Sequence, residues 1–476
     1  MISAGLQRAK YVVGDLMSSA LAWFAYTCLR YYLNQETMLS QGFNSFEMFV
    51  TSSYVALGML LFPLMMMFVY FLSGYYNEVF RKSRLQEFFV TAASVLFNSL
   101  MIFFVALVND MANDRAYNYE MIMLLVVLLF AMVYTVRCVI TSQASRRLKH
   151  RIWQFNTLII GAGNEALRMG NNLNTVPESL GYDVVGYVRV PGEDAAEIST
   201  DLPVFEMDEI DDVCHRLDIK ELIVSLSDCP ADRVLDTINR LFRLNLPIKI
   251  TPTLTDIVLT RASVQQLVGD PLVDVSGCSM GDCERNIKWL CDVVISAVAL
   301  VVLAPFYAML AVAIKLDSKG AVVYKQRRIG LHNKPFTIYK FRSMVEDAEK
   351  DSVPQLSGDD DRRVTRVGRW MRKYRIDETL QFWNVLKGDM SLVGPRPERE
   401  YYLKQMMERV PYCALLHQVR PGITSLGMVK YGYARNVDEM IERLKFDLLY
   451  LENMSLVNDL KILIYTVKIV INGRGI

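Results

Sequence analysis

Residues 284–319 read ERNIKWLCDVVISAVALVVLAPFYAMLAVAIKLDSK, and the placement of this run decides how everything after it folds. Its apolar part, residues 289–314, is long enough at about 1.5 Å per residue to cross a bilayer. A single crossing would leave the rest of the chain outside the cell. The flanks argue otherwise. Arg285 and Lys288 precede the run, while Lys315, Lys319, Lys325, Arg327 and Arg328 follow it. Cationic flanks stay on the cytosolic side, so both ends belong there. Pro305 lies past the middle, where its missing N–H and its ring break a helix. The run therefore reads as a re-entrant helix near residues 286–315, broken at Pro305, that dips into one leaflet and returns. Non-helical backbone at that depth needs protein around it. The competing reading is an ordinary kinked span.

Upstream, four apolar stretches occupy roughly residues 11–33, 46–76, 88–108 and 119–140, each near the ~20 residues a transmembrane helix needs. Arg8 and Lys10 precede the first. Arg81, Lys82 and Arg84 separate the second from the third, and Arg146, Arg147, Lys149 and Arg151 follow the fourth. The loops near 34–47 and 109–117 carry only Arg115 against several acids. Residues 1–150 thus read as a bundle of four transmembrane helices with both ends in the cytosol. Asp15 lies inside the first stretch, near its cytosolic end; snorkelling or a polar contact within the bundle explains it better than a proton relay.

Between residues 151 and 275 the pattern becomes α/β. Strands are expected at 156–160, 184–188, 222–226 and 247–250, with a helix over 232–244. That alternation gives a parallel sheet with crossover helices, a Rossmann-like domain. Gly161, Gly163 and Ala166 match the glycine-rich dinucleotide fingerprint. The acid expected at the end of the second strand is missing, however: that end reads Val188-Arg189-Val190, and Asp183 falls at the strand's other end. Tight strand–helix packing with a docking or dimerising role is the preferred reading of this loop.

Bulk numbers set the outer limits. The chain has 476 residues, 52% of them apolar, and a net charge near +1, which gives no argument for nucleic-acid binding. Eight cysteines and four histidines are scattered without zinc-ligand spacing. The first apolar run is too long for a cleavable signal peptide and lacks a small-residue cleavage site.

Downstream of Gly330 lies the stretch that speaks most about chemistry: residues 374–397, YRIDETLQFWNVLKGDMSLVGPRP. Residues 361–375 form a basic amphipathic pattern, with Val364, Val367, Trp370 and Tyr374 among seven cations. It runs directly into the adjacent acids Asp377 and Glu378. Arginines around a helix start suit phosphate groups, and a carboxylate there can attack phosphorus or hold a divalent metal. Arg375, Arg396 and Arg420 are candidates for bidentate phosphate grips, with Lys340 and Arg342 from KFRSM (340–344) as further phosphate or nucleotide contacts. Plainer readings stand beside these. Asp377 as a simple N-cap would be worth about 1 kcal/mol, and Arg396, fixed between two prolines, could clamp a carboxylate.

These residues carry a resemblance. YKQRRIG (324–330), KFRSM (340–344), the Asp377-Glu378 pair, NVLKGDMSLVGPRPE (384–398) and RPGIT (420–424) together resemble the bacterial sugar transferases, or monotopic phosphoglycosyl transferases. The likeness covers residues 284–476, including DLK (459–461) and GRG (473–475), and the preceding bundle and α/β domain resemble the family's large subclass. The resemblance implies a mainly helical catalytic domain on the cytosolic face of the bacterial inner membrane. It implies transfer of a sugar 1-phosphate, with hexose as the class, from a UDP-sugar to undecaprenyl phosphate with release of UMP. It implies Asp377 as nucleophile, forming a phosphosugar–enzyme intermediate, and Glu378 as its partner, the two holding Mg2+. Its setting is capsule, exopolysaccharide or O-antigen assembly, with membrane lipid as partner. The four conventional spans, not needed to set headgroup height, are expected to anchor a homodimer. The sequence departs from the family at Leu380 and Ala304, where a proline and a serine are common, and the segment after RPGIT lacks the usual tryptophan.

Two other classes compete. A membrane-bound nucleotide-sugar dehydratase would need a second glycine-rich fingerprint, and none follows residue 290. A non-catalytic nucleotide-sugar sensor using the Gly161 loop would leave the acid pair and the Gly-Pro-Arg-Pro block without purpose.

Overall fold

The computed structural model describes residues 4–33, 35–40, 42–109, 115–175, 181–193, 201–226, 229–244, 246–251, 272–274, 279–345 and 361–472. The GRG motif at 473–475 and part of the 109–117 loop lie outside them. The chain divides into two compact units, one of residues 1–154 with 177–181 and the other of residues 155–176 and 182–476.

The first unit holds four long helices, α1 (Ala4–Leu33), α2 (Ser53–Leu72), α3 (Arg84–Asn109) and α4 (Arg115–Lys149). Each is apolar and long enough to cross a membrane. They close a ring in which α1 touches α2 and α4, and α3 touches the same two. Exposed apolar side chains such as Leu57, Leu60, Leu96 and Val127 face outward, as lipid-facing residues do. The centre is polar at one level. Arg137 is fully buried and forms a bidentate pair with Asp15, at 2.8 and 2.7 Å. Tyr76 donates to the same carboxylate at 2.8 Å, and the guanidinium lies over the rings of Tyr70 and Tyr75. Asp15 therefore makes the polar contact within the bundle, and a charge buried in lipid is tolerated because it is paired.

In the second unit, β1 (Phe155–Ile160) leads into α5 (Asn164–Thr175), followed by β2 (Tyr182–Arg189), β3 (Val204–Glu206), β4 (Glu221–Val224), α6 (Ala231–Phe242), β5 (Ile248–Ile250) and β6 (Val273–Asp274). The strand order is β3-β2-β1-β4-β5-β6, parallel except for the antiparallel β6. This is the doubly wound order. Runs of Leu, Ile and Val make the central strands buried on both faces, as in β1 and β4. Sequence patterning found β1, β2, β4 and β5; the three-residue β3 and the two-residue β6 escaped it.

The fifth apolar run forms α7 (Asp282–Asp317), with Pro305 inside it. No non-helical residue interrupts α7 at Pro305, which corrects the expectation of a backbone break there. A lost N–H and a steric clash bend a long helix without ending it. Both ends of α7 are tied to segments further along the chain. Near its start Lys288 donates to the Val393 carbonyl at 3.0 Å and pairs with Asp459 at 2.6 Å, and the Ser391 hydroxyl donates to Asp292 at 2.5 Å. Near its end Tyr307 donates to the Thr379 carbonyl at 3.3 Å, while Leu310 and Ile314 pack with Phe341 and Met371.

Candidate active site

A hairpin of β7 (Val323–Ile329) and β8 (Pro335–Phe341) supplies one wall. Its register pairs Gln326 with Ile338 and Arg328 with Phe336. Side chains alternate across a strand, so Arg328, Ile338 and Lys340 share a face. Next, α8 (Arg366–Lys373) is capped by the Thr365 hydroxyl, which accepts from the Gly368 N–H, and by Asp317, which accepts from the Val367 N–H. The sequence pattern over 361–375 is therefore helical only from Arg366 to Lys373. Then Arg375 adopts a left-handed conformation, φ 54°, unusual for a residue with a Cβ and of a kind that clusters at functional sites. That turn delivers Asp377 and Glu378 on a single 3-10 turn, Ile376–Glu378.

The acids open onto α9 (Gln381–Leu386). Leu380, where the family commonly has proline, has φ −64°, the value proline would impose, so the helix entry is set without it. Asn384 fastens α9 to the hairpin: its amide donates to the Thr337 carbonyl at 2.7 Å and accepts from the Tyr339 N–H at 3.1 Å. This stitch fixes Lys340 relative to Glu378. The short parallel pair β9 (Ser391–Val393) and β10 (Gly422–Thr424) then aims the Gly-Pro-Arg-Pro turn. A Cβ on Gly394 would lie 2.4 Å from the Arg420 carbonyl, and one on Gly422 would lie 2.1 Å from the Gly394 nitrogen. Only glycines allow the two segments to cross so closely.

The result is a buried cluster of alternating charge. Glu378 is 5% exposed and Asp377 9%. Lys340 Nζ reaches Glu378 Oε1 at 2.7 Å, and Arg396 reaches the same oxygen at 3.4 Å. Arg375 and Arg396 both lie over the Tyr433 ring, at 4.8 and 5.1 Å from its centroid. Arg328, Lys340, Glu378, Gln381 and Arg396 wall a cavity with room for about one water.

The two carboxyls behave oppositely. Burial pushes Asp377 up to about 6, helped by the neighbouring Glu378 charge, with Lys340 and Arg372 opposing. Burial also works against Glu378, but Lys340, Arg396 and Arg375 outweigh it and hold Glu378 well below the usual carboxylate range. Among the described residues no ion pair restrains Asp377. Burial also lowers Lys340, against the pull of Glu378.

Lys340, Arg375 and Arg396 thus gather around the acid pair. Arg342 does not join them: it donates to the Ile314 and Ser318 carbonyls at 3.3 and 2.7 Å, closing the C-terminus of α7. Arg420 meets the site through its backbone at Gly394, and its buried Nε, like that of Arg375, has no hydrogen-bond partner among the described residues. Arg328, Gln381 and Tyr433 are site residues that sequence reasoning did not single out. Strand alternation within YKQRRIG would have found Arg328; Tyr433 had no local signal. Hard carboxylate oxygens on Asp377 and Glu378, with Asp377 raised by burial and by the Glu378 charge, suit Mg2+ completed by phosphate oxygens and water.

In the α/β domain, the Ala162 and Gly163 N–H groups donate to Glu193, at 2.7 and 3.0 Å. An acid does follow β2, later than the fingerprint predicts, and it occupies the donors that a pyrophosphate would use.

The family model described as bacterial sugar transferase matches residues 283–473, and one described as CoA-binding domain matches 74–252. A UDP-N-acetylgalactosamine-undecaprenyl-phosphate N-acetylgalactosaminephosphotransferase of Aeromonas hydrophila is 42% identical over 184 residues, 39% of this chain and 43% of that protein. A UDP-glucose:undecaprenyl-phosphate glucose-1-phosphate transferase of Xanthomonas campestris pv. campestris is 30% identical, covering 65% of each. The chain thus spans less than two thirds of the length of these two relatives. An undecaprenyl-phosphate galactose phosphotransferase of Salmonella typhimurium is 30% identical over 68% of this chain and 70% of its own.

Proposed function

The chain belongs to the bacterial sugar transferase family, and from that premise we propose that it transfers a hexose 1-phosphate from a UDP-sugar to undecaprenyl phosphate, releasing UMP. In the first half-reaction an Asp377 carboxylate oxygen attacks the β-phosphorus. The bond from that phosphorus to the oxygen bridging it to the α-phosphate breaks, and UMP leaves with the electron pair. In the second, the lipid phosphate oxygen attacks the same phosphorus and frees the Asp377 carboxylate. A covalent carrier suits two anionic substrates that repel each other.

The single observation behind this reading is the division of labour in the acid pair. Glu378 is committed to Lys340 and Arg396, whereas Asp377 has no ion pair among the described residues and a raised pKa. Arg375, Arg396 and Lys340 bind and orient phosphate oxygens. Asp377 and Glu378 would hold Mg2+, which supplies neutralisation of charge on the diphosphate.

The membrane reading draws on α7. A helix fastened to one catalytic domain at Lys288 and Asp292 and again at Tyr307 fits entry into and return from one leaflet, bent at Pro305. The catalytic domain then sits on the cytosolic face of the inner membrane, at headgroup height. Assembly as a homodimer through the N-terminal spans belongs to the same proposal, and particle mass in detergent checks it. The sensor reading weakens, because Glu193 fills the loop it would use.

The test is UMP release from a panel of UDP-glucose, UDP-galactose and UDP-N-acetylgalactosamine with undecaprenyl phosphate. Asp377→Asn should lower the rate by about a thousandfold or more, and the wild-type enzyme should carry hexose phosphate on Asp377 when the lipid acceptor is withheld. Undiminished turnover by the variant would sink the mechanism.

A further inference from the structure

Tyr433 has no task in the transfer as described above, yet the chain around it is arranged to hold it in place. Ser425 caps α10 (Leu426–Lys430), its hydroxyl accepting from the Met428 N–H at 3.0 Å. The helix closes within two turns, where the Tyr431 and Gly432 N–H groups both donate to the Gly427 carbonyl, at 2.9 and 3.1 Å. Gly432 has φ 97°, a left-handed closure that glycine adopts freely and a side chain would strain. Tyr433 is the next residue, so this reversal sets its direction.

A single carboxylate then ties that helix to the Gly-Pro-Arg-Pro turn. Asp447, buried on α11 (Val437–Glu452), accepts from the Gly427 N–H at 2.9 Å with one oxygen and from the Arg396 N–H at 3.5 Å with the other. A Cβ on Gly427 would fall 2.7 Å from Arg443 Cγ and 2.8 Å from the first Asp447 oxygen, so glycine is what lets α10 come this close. The backbone segments that carry Tyr433 and Arg396 thus share one anchor.

What the ring meets is a pair of like charges. The Cζ atoms of Arg375 and Arg396 lie 4.8 and 5.1 Å from its centroid. Two guanidiniums gathered at one place repel each other, and each long side chain has many rotamers to sample. Glu378 answers this only in part. Arg396 reaches it at 3.4 Å, while the buried Arg375 Nε has no hydrogen-bond partner among the described residues. The electron-rich face of an aromatic ring attracts both cations without occupying their N–H donors. A second carboxylate in its place would take up those donors and set a negative charge against the substrate phosphates. With the ring there, the donors stay free for phosphate oxygens.

We propose that Tyr433 is a positioning residue for the diphosphate: its ring face holds the Arg375 and Arg396 guanidiniums in place, with their donors free for the phosphate oxygens of a UDP-sugar. This rests on the transfer reading and adds to it a residue that acts through the two arginines. The test replaces position 433 of the full chain, in detergent with Mg2+, by phenylalanine, difluorophenylalanine and trifluorophenylalanine. That series keeps the ring's shape while withdrawing electron density from its face. Affinity is read by isothermal titration with UDP, which carries both phosphates and is common to every sugar in the panel. UMP release is read in a single turnover with the UDP-sugar panel and no lipid acceptor. The dissociation constant for UDP should rise stepwise with fluorination, by about tenfold across the series, while thermal midpoints stay level. Tyr433→Leu should weaken UDP binding at least as much as the trifluorinated ring, and Tyr433→Phe should recover most of that loss. A flat fluorination series beside normal wild-type UMP release overturns the positioning role and leaves the transfer standing. Loss of UDP binding as complete in Tyr433→Phe as in Tyr433→Leu also overturns it, because the hydroxyl then carries the effect. A graded series without UMP release from any UDP-sugar overturns the transfer and keeps the grip on the diphosphate. No UDP binding by the wild type overturns both.

Discussion

Asp377 and Glu378 are neighbours in the chain, yet the fold sets them on opposite sides of a stability balance. Asp377 is raised by burial, so its ionisation opposes folding: its contribution is favourable below the ordinary carboxylate range and lost as pH rises through about 6. Glu378 is depressed by Lys340 and Arg396, so its contribution is present above the ordinary range and lost as pH falls. With EDTA present at neutral pH, Asp377→Asn should therefore raise the unfolding free energy by on the order of 2 kcal/mol, seen as a higher thermal midpoint. Glu378→Gln should lower that free energy by about 3 kcal/mol, because it strands two buried cations. Calorimetry in detergent decides; shifts of the same sign would contradict this assignment. The sequence made both acids visible but not their difference. That difference comes from Lys340 and Arg396, which are 38 and 18 residues away from Glu378. Arg342 misled for the converse reason: it shares a motif with Lys340, but β8 ends at Phe341, and beyond a strand's end the alternation of faces no longer applies.

At the scale of elements, α7 and the glycine-rich loop were legible as patterns, while their closing contacts were not. Hydropathy located α7, but its fastening depends on Lys288, Asp292 and Tyr307 meeting partners far along the chain. The glycine loop was read with its acid missing, since Glu193 arrives four residues after β2 ends, by way of Pro191-Gly192. A carboxylate already seated on the Ala162 and Gly163 N–H groups makes the loop a structural latch. Isothermal titration of the wild-type chain with NAD should show no binding. Glu193→Ala should destabilise by about 1–3 kcal/mol, because two buried donors lose their acceptor; saturable NAD binding by the wild type would refute the latch. The segment Pro411–Gln418 is a second such joint. Ala414 joins the core of the sheet, while Cys413 and Leu416 join a core among the catalytic helices. His417 is buried in this segment and burial lowers it to about 4. The folded state therefore refuses a proton that the unfolded chain accepts below about 6.5. Stability should fall as pH drops from the unfolded value toward about 4, by on the order of 3 kcal/mol in total. His417→Gln should flatten that part of the slope, as read by thermal midpoints across the range.

For the whole molecule, the family resemblance starts the catalytic domain at residue 284 and treats the sheet as separate. Packing joins them: Met407, Ala414 and Leu415 complete the apolar cluster formed by β1, β4 and α6. A run of matching motifs marks where a family's domain begins, but it carries no information about which surfaces later become shared. The natural cut therefore lies near residue 154, where the second unit begins. A chain truncated before Phe155 keeps the sheet, α7 and the acid pair, and it should release UMP from UDP-sugar in vesicles at a rate within about tenfold of the full chain. A chain truncated before residue 280 uncovers Ala414 and Leu415. Exposing a patch of buried apolar side chains at about 25 cal/mol per Å2 costs several kcal/mol, so this shorter piece should yield less folded protein and a lower thermal midpoint, while any folded fraction keeps its dependence on Asp377. Equal stability of the two truncations would show that the shared cluster adds nothing, and loss of UMP release in the longer piece would assign the N-terminal helices a part in the chemistry itself.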